Sequence, residues 1–160
     1  MKCCPPKLRD TAYISLVRPI LEYGCTIWSP YTMSGIGKIE RVQRRAARFA
    51  TGKFKYCHSV SDMLHDLGWS TLEERRQEQR LVLFYKIIHG ISHVQTEGIL
   101  APADSRTRSN HRYKYGHIRT NCEVYRNSFF PATISRWNSL PAGTVEAVNT
   151  DDFKLKIRLN

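Results

Sequence analysis

Apolar and polar positions along this chain alternate mostly at helical spacing. From about Lys7 to Trp28, the residues Leu8, Ala12, Ile14, Leu16, Val17, Ile20, Leu21 and Ile27 recur at that spacing and predict an amphipathic helix central to the core. Pro19 lies inside this segment, so a kink or break is expected near Arg18. Ser29-Pro30 ends it. A second helix is expected from Ser34 to Thr51, stopped by Gly52. At 100° per residue its Ile36, Ile39, Val42, Gln43, Ala46 and Ala50 share one side, the side expected to pack. Lys38, Arg41, Arg44, Arg45 and Arg48 fall within a sector of about 120° on the other, with Glu40 at its margin.

A short helix follows from Ser59 to Leu67, ended by Gly68, with Val60, Met63, Leu64 and Leu67 on one face. Ser70-Thr71-Leu72-Glu73-Glu74 then offers overlapping capping boxes, Ser70 with Glu73 and Thr71 with Glu74. The helix they open should reach His89 and stop at Gly90. Its first half is charged with mixed sign and its second, Leu81 to Ile88, is nearly all apolar, so it enters the core as it proceeds. From Ser92 to Asn127 the periodicity fades. Arg106, Arg108, Arg112, Lys114 and Arg119 are interleaved there with His111, Tyr113, Tyr115 and His117. Basic residues alternating with rings can engage phosphates and stack on bases. The stretch reads equally as a disordered basic loop, or around Tyr113–Ile118 as a short strand with a bulge at Gly116. Phe129-Phe130, then Ile134, Trp137 and Leu140, restore helical order, and Thr150 can cap a last helix whose acids stand at its start and whose Lys154, Lys156 and Arg158 stand near its end.

The fold expected is therefore mainly α, a helical bundle with a basic loop and a small β element between about Tyr113 and Val124. Its regions are 1–6, a start without recognisable character; 7–91, a helical domain; 92–127, a basic loop or small β segment; and 128–160, a C-terminal helical segment. A chain of 160 residues can bury a core without staples.

Charge sharpens the functional side. Twenty-five Lys and Arg against 14 Asp and Glu give +11 at pH 7. Such an excess favours polyanions, because phosphate contacts release counterions. Nucleic acid is the usual partner and an anionic membrane surface a less usual one. No apolar run long enough to span a membrane occurs, and Met1–Pro6 has no signal-peptide core. The five cysteines, Cys3, Cys4, Cys25, Cys57 and Cys122, have no framework spacing and no CxxC pairing, so neither a disulfide scaffold nor a zinc site is expected. Reduced thiols in an intracellular setting, nucleus or cytoplasm, are the expectation.

Catalysis has little to stand on. Two-metal nucleotidyl transfer needs several carboxylates converging on the metals. Asp151-Asp152 is adjacent but sits in a helix start, where capping explains it better. No GxSxG, Walker loop or HExxH is present, and no catalytic residue, metal ligand or cofactor is assigned.

Several blocks together resemble a known family. Leu16-Val17-Arg18-Pro19-Ile20-Leu21-Glu22-Tyr23-Gly24 with Ile27-Trp28-Ser29-Pro30-Tyr31, and Ile39-Glu40-Arg41-Val42-Gln43-Arg44-Arg45-Ala46-Ala47-Arg48-Phe49, look like the segment that follows the palm in non-LTR (LINE-type, jockey-like) retrotransposon reverse transcriptases. Leu67-Gly68-Trp69, Leu72-Glu73-Glu74-Arg75-Arg76, Arg80-Leu81, Phe84-Tyr85-Lys86-Ile87, Ser128-Phe129-Phe130-Pro131-Ala132-Thr133-Ile134 and Arg136-Trp137-Asn138-Ser139-Leu140-Pro141 continue in the family's order, from about Ala12 to Phe153. The resemblance implies a thumb-like and C-terminal piece of an RNA-directed DNA polymerase, its catalytic palm absent, with no polymerase activity of its own. Met1–Pro6 shows no character of the family, so by this resemblance the chain looks like a truncated copy or a gene model begun inside the element. Its partners would be RNA or an RNA–DNA hybrid, and the palm of the parent enzyme. The contact residues expected are Lys38, Arg41, Arg44, Arg45 and Arg48, then Arg106, Arg108, Arg112, Lys114 and Arg119, with Arg75 and Arg76 second in rank because they can pair with nearby acids. Trp28, Trp69, Trp137, Phe129 and Phe130 read as core anchors. The alternatives are a helical protein-interaction module, reused by a host, and an inert transcribed relic.

Overall fold

The computed structural model describes residues 4–55, 57–103 and 111–159. The protein is mainly α-helical. Its helices are α1 (Pro6–Ala12), α2 (Arg18–Glu22), α3 (Met33–Thr51), α4 (Val60–Asp66), α5 (Leu72–Ile88), α6 (Glu123–Arg126), α7 (Phe129–Ser139), α8 (Ala142–Val145) and α9 (Thr150–Leu159), with a π-helical turn at Tyr13–Val17 joining α1 to α2. The chain divides into two compact units: Met1–Cys25 with Pro30–Arg76, and Thr26–Ser29 with Gln77–Asn160. The boundary falls inside α5.

The first unit begins where a single kinked helix was expected. Pro19 has no N–H to give, and in a regular α-helix its ring collides with the carbonyl four residues back. The chain meets this by widening: the Arg18 N–H reaches back to the Tyr13 carbonyl, a π-type bond. The kink is thus a π-turn. The segment is not the centre of a core, however. Within α1, the π-turn and α2, Tyr13 alone is buried, while Leu8, Leu16 and Ile20 stand 58%, 69% and 72% exposed.

α3 packs on α1 and α4. Thr32 caps its start, its side chain accepting from the Gly35 amide at 3.2 Å. Gly35 is there for space, since a Cβ would come within 2.8 Å of Pro30 Cβ. At the other end Gly52 turns with φ +72°, the left-handed stop that its position predicted. Arg9 donates to the Phe49 carbonyl at 2.6 Å and lies over the Phe49 ring. The buried residues of α3 are Glu40, Gln43, Ala47 and Ala50. That seam is rotated by roughly 50°, half of one residue's step, from the side that the apolar pattern pointed to.

Polar bonds explain the rotation. Tyr13 stacks on Trp69 with ring centroids 4.4 Å apart and donates its hydroxyl to Gln43 Oε1 at 3.1 Å. Gln43 Nε2 donates to the Ser70 carbonyl at 2.8 Å, and Trp69 Nε1 donates to Asp10 Oδ1. Glu40 accepts the Glu73 amide at 3.0 Å. Glu40, expected at the edge of the basic face, thus serves an orphan N–H of the first turn of α5. The capping box that forms is the Thr71–Glu74 one, each backbone N–H bonded to the other's side chain at 3.1 Å. Small residues, Ala47 and Ala50, let the backbones approach, and Met63 fills the remaining space.

The second unit is an aromatic cluster. Phe84, Tyr85, Ile134, Trp137, Val145 and Phe153 are buried, with Leu81 and Ala147 beside them. Phe84 meets Trp137 edge-on at 5.1 Å and Tyr85 stacks on Phe153 at 4.4 Å. Each such side chain contributes about 1.5–3 kcal/mol by burial, and the polar tips are satisfied: Tyr85 donates to the Ala147 carbonyl and Trp137 Nε1 to the Tyr113 carbonyl, both at 2.8 Å. α9 is capped by Asn149, whose Oδ1 accepts from the Asp151 and Asp152 amides, rather than by Thr150. Asp152 in turn accepts from the Val148 amide and from Lys156, so the adjacent carboxylates serve the helix start.

No strand forms among the described residues where the small β element was expected between Tyr113 and Val124: an isolated bridge joins Tyr115 to Pro102, and Glu123–Arg126 is helical. Asn138 completes the bridge from the side: it accepts from the Tyr115 amide and donates to the Tyr115 carbonyl, as a neighbouring strand would. Of the expected anchors, Trp137 and Trp69 are buried, Phe129 and Phe130 are half-buried, and Trp28 is 48% exposed, which removes it from the core.

Candidate functional site

The basic row forms as its spacing demands. Lys38, Arg41, Arg44 and Arg45 are exposed and Arg48 is half-buried. They follow one side of α3 for about 15 Å, at 1.5 Å rise per residue. Among the described residues none of them has a hydrogen-bond or ion-pair partner. The opposite side of the helix is held by the Glu40 and Gln43 bonds, so the row is fixed in orientation. It is a row of positive charge on the solvent side of α3.

The second-rank arginines sit differently. Glu22 bridges Arg18, 4.0 Å away along the helix, and Arg75, which binds it through both Nε and Nη2. Arg76 is buried, donates to the Leu21 carbonyl, and is pulled below its ordinary pKa by burial. Arg76 therefore lies in the interior of the first unit rather than on a binding surface. Tyr13, nearby, is pushed up to about 12, first by burial, so its hydroxyl stays a donor to Gln43.

The basic loop of the second unit separates into two sets. Arg112 is exposed, pairs with Glu146 at 3.4 Å and covers the Tyr113 ring. Lys114 is half-buried and Arg119 exposed. Arg106 and Arg108 lie outside the described residues. Of the interleaved rings, His111 is buried and Tyr113 and Tyr115 are half-buried, while His117 is exposed. His111 is buried with Nε2 at 3.2 Å from the Trp137 carbonyl, and Tyr115 packs edge-on against Phe84.

Two apolar surfaces escaped the sequence pattern. One is on the π-turn and α2, where Leu16, Ile20 and Tyr23 are 69%, 72% and 81% exposed. Pro19, Ile20 and Tyr23 line an open groove of about 370 Å³. The other lies on α3 between the basic row and the buried seam: Ile39, Val42, Ala46 and Phe49, half-buried to exposed. The pattern placed Ile39, Val42 and Ala46, though not Phe49, on the side expected to pack; of these Ala46 does pack, partly buried, against the core of the first unit.

Among the described residues no group of His, Cys, Asp and Glu is gathered that can hold a metal. Cys25 is buried and Cys57 and Cys122 are exposed, and none of the three is in a disulfide. No helix among the described residues is long and apolar enough to cross a membrane. Comparison with protein families, with curated proteins and with solved structures finds no match to this chain.

Proposed function

We propose that this chain works as a helical interaction module, binding through surfaces rather than performing chemistry. The observation that carries this is the outward apolar face of the π-turn and α2, where Leu16, Ile20 and Tyr23 are exposed and Pro19, Ile20 and Tyr23 line an open groove. A contiguous apolar surface of this kind marks a docking site on a soluble fold. The resemblance to the post-palm segment of jockey-like reverse transcriptases supplies the occupant: the palm of such a polymerase, on which this segment would rest as part of a thumb-like region. The test is a titration of the chain with a separately expressed fingers–palm segment of a jockey-like element. Binding is expected, and Ile20→Asp with Tyr23→Asp should weaken it by about tenfold or more. Equal binding by the double variant would refute this use of the face.

A second reading, nucleic-acid binding by a reverse-transcriptase remnant in nucleus or cytoplasm, is favoured by the unpaired basic row on α3. Phosphate contacts by Lys and Arg give affinity that falls steeply with salt. Replacing Arg41, Arg44, Arg45 and Arg48 together by Ala should weaken binding of an RNA–DNA hybrid and flatten the salt slope by about 3–4. A gel shift at two salt concentrations reads this, and unchanged binding in the quadruple variant would sink it. An inert relic would bind neither the palm segment nor the hybrid.

A further inference from the structure

α3 has three arcs, not two. Taking 100° per residue, Lys38, Arg41, Arg44, Arg45 and Arg48 occupy the basic arc, and Glu40, Gln43, Ala47 and Ala50 the buried one. Between them run Ile39, Val42, Ala46 and Phe49, spaced three, four and three residues apart, which is the spacing of a coiled-coil seam. Val42 is 37% and Phe49 39% exposed, Ile39 is half-buried, and Ala46, partly buried, rests against the core cluster at the inner side of the strip. This seam exists because the Gln43 and Glu40 bonds turn the helix away from its most apolar side. Along its open edge stand Lys38, Arg45 and Arg41, and Arg9 lies over the Phe49 ring at its end. On α3 itself no acidic residue falls in that arc.

We propose that this strip receives an amphipathic helix of a partner protein whose apolar seam is bordered by acidic side chains. The inference rests on the interaction-module reading and names a second surface and a partner class for it. Charge complementarity selects the occupant. Apolar side chains of the incoming helix would meet Val42, Ala46 and Phe49, and its flanking carboxylates would meet Lys38, Arg41 and Arg45, as flanking charges set partner choice in coiled coils. A second copy of α3 brings the same cations and is repelled. A phosphate backbone would use the cations and leave the apolar strip uncovered.

The probes are two synthetic peptides of about three heptads with identical Leu seams, one flanked by Glu and the other by Lys, and an RNA–DNA hybrid. Fluorescence anisotropy of each against the full chain should show the Glu-flanked peptide bound about tenfold or more tightly than the Lys-flanked one. Val42→Asp should weaken the Glu-flanked peptide by a similar factor and leave the hybrid unaffected. Because Val42 is already at the surface, circular dichroism should show the variant folded. Arg41→Glu with Arg45→Glu should invert the preference between the peptides, which loss of folding cannot do. Equal binding of the two peptides, or indifference of the Glu-flanked peptide to Val42→Asp, would overturn the proposal. Loss of that peptide on Ile20→Asp but not on Val42→Asp would overturn it too, while keeping the interaction-module reading. Binding of the hybrid without either peptide would leave a polyanion site in its place.

Discussion

The two units are held together by different physics. The second buries large rings, Trp137, Phe84, Tyr85 and Phe153, and satisfies their polar tips with backbone carbonyls. The first has a smaller apolar cluster and is stitched by side-chain bonds from Tyr13, Gln43, Trp69 and Glu40. Burial is nondirectional and tolerant of rotation. A buried hydrogen bond is directional and expensive to leave unmade. The first unit can therefore hold α3 in an orientation that its apolar residues alone would not choose, and it leaves apolar surface outside.

The largest effect that would test the contrast is in the aromatic cluster. Trp137→Ala should destabilise by about 3–5 kcal/mol, measured by urea unfolding. A loss under about 1 kcal/mol would mean that the rings do not dominate that unit. Next is Gln43→Met, close in volume but unable to bond. It leaves the Ser70 carbonyl without its donor and takes the acceptor from the Tyr13 hydroxyl, so about 2 kcal/mol should be lost. Hydrogen exchange should place that loss in α3 rather than in α7 or α9, and a neutral result would show that the first unit is held by apolar contact after all. The smallest effect is a pH dependence in the second unit. Burial, first among its causes, holds the His111 imidazole below its ordinary 6.5. The unfolded chain then takes up a proton before the folded one does, so this contribution to stability is full above 6.5 and falls as the pH drops through 6.5 toward the folded value. Urea midpoints at about pH 7.5 and about pH 5.5 should differ less in His111→Gln than in the parent chain. Asp152 acts in a separate window. The Lys156 hydrogen bond, ahead of the Val148 amide, holds its carboxyl below the ordinary 3.8, so its contribution goes only in stronger acid.

Much of the helical layout was legible because local chemistry writes it. Gly52, Gly68 and Gly90 all adopt positive φ, as stop signals after periodic runs should. Ser59 caps α4 and Thr71 pairs with Glu74. The basic row was legible because side-chain direction on a helix follows from spacing alone. What was not legible depends on distant partners. Nothing near Glu40 in the chain announces that it will accept the amide of Glu73, and nothing near Arg76 announces the Leu21 carbonyl. Without those bonds the apolar count chooses the wrong side of α3 by half a step, and Val42 is assigned to the core. The rings of the basic loop were misread for a related reason: His111 and Tyr115 look like platforms until α7 and α5 supply Trp137 and Phe84 to cover them.

The π-turn at Tyr13–Val17 carries a consequence for how this segment can change. A wide turn in a helix is equivalent to one inserted residue, so everything after it is advanced by about 100° relative to what comes before. The residues on either side of the turn belong to different helical phases, and a periodicity counted straight through Tyr13–Val17 mixes them. Removal of a single residue between Tyr13 and Val17 would restore one phase and swing Ile20 and Tyr23 away from their outward direction without altering either side chain. For this stretch of chain the number of residues is as strong a constraint as their identity: a length change should be less tolerated than a conservative apolar exchange.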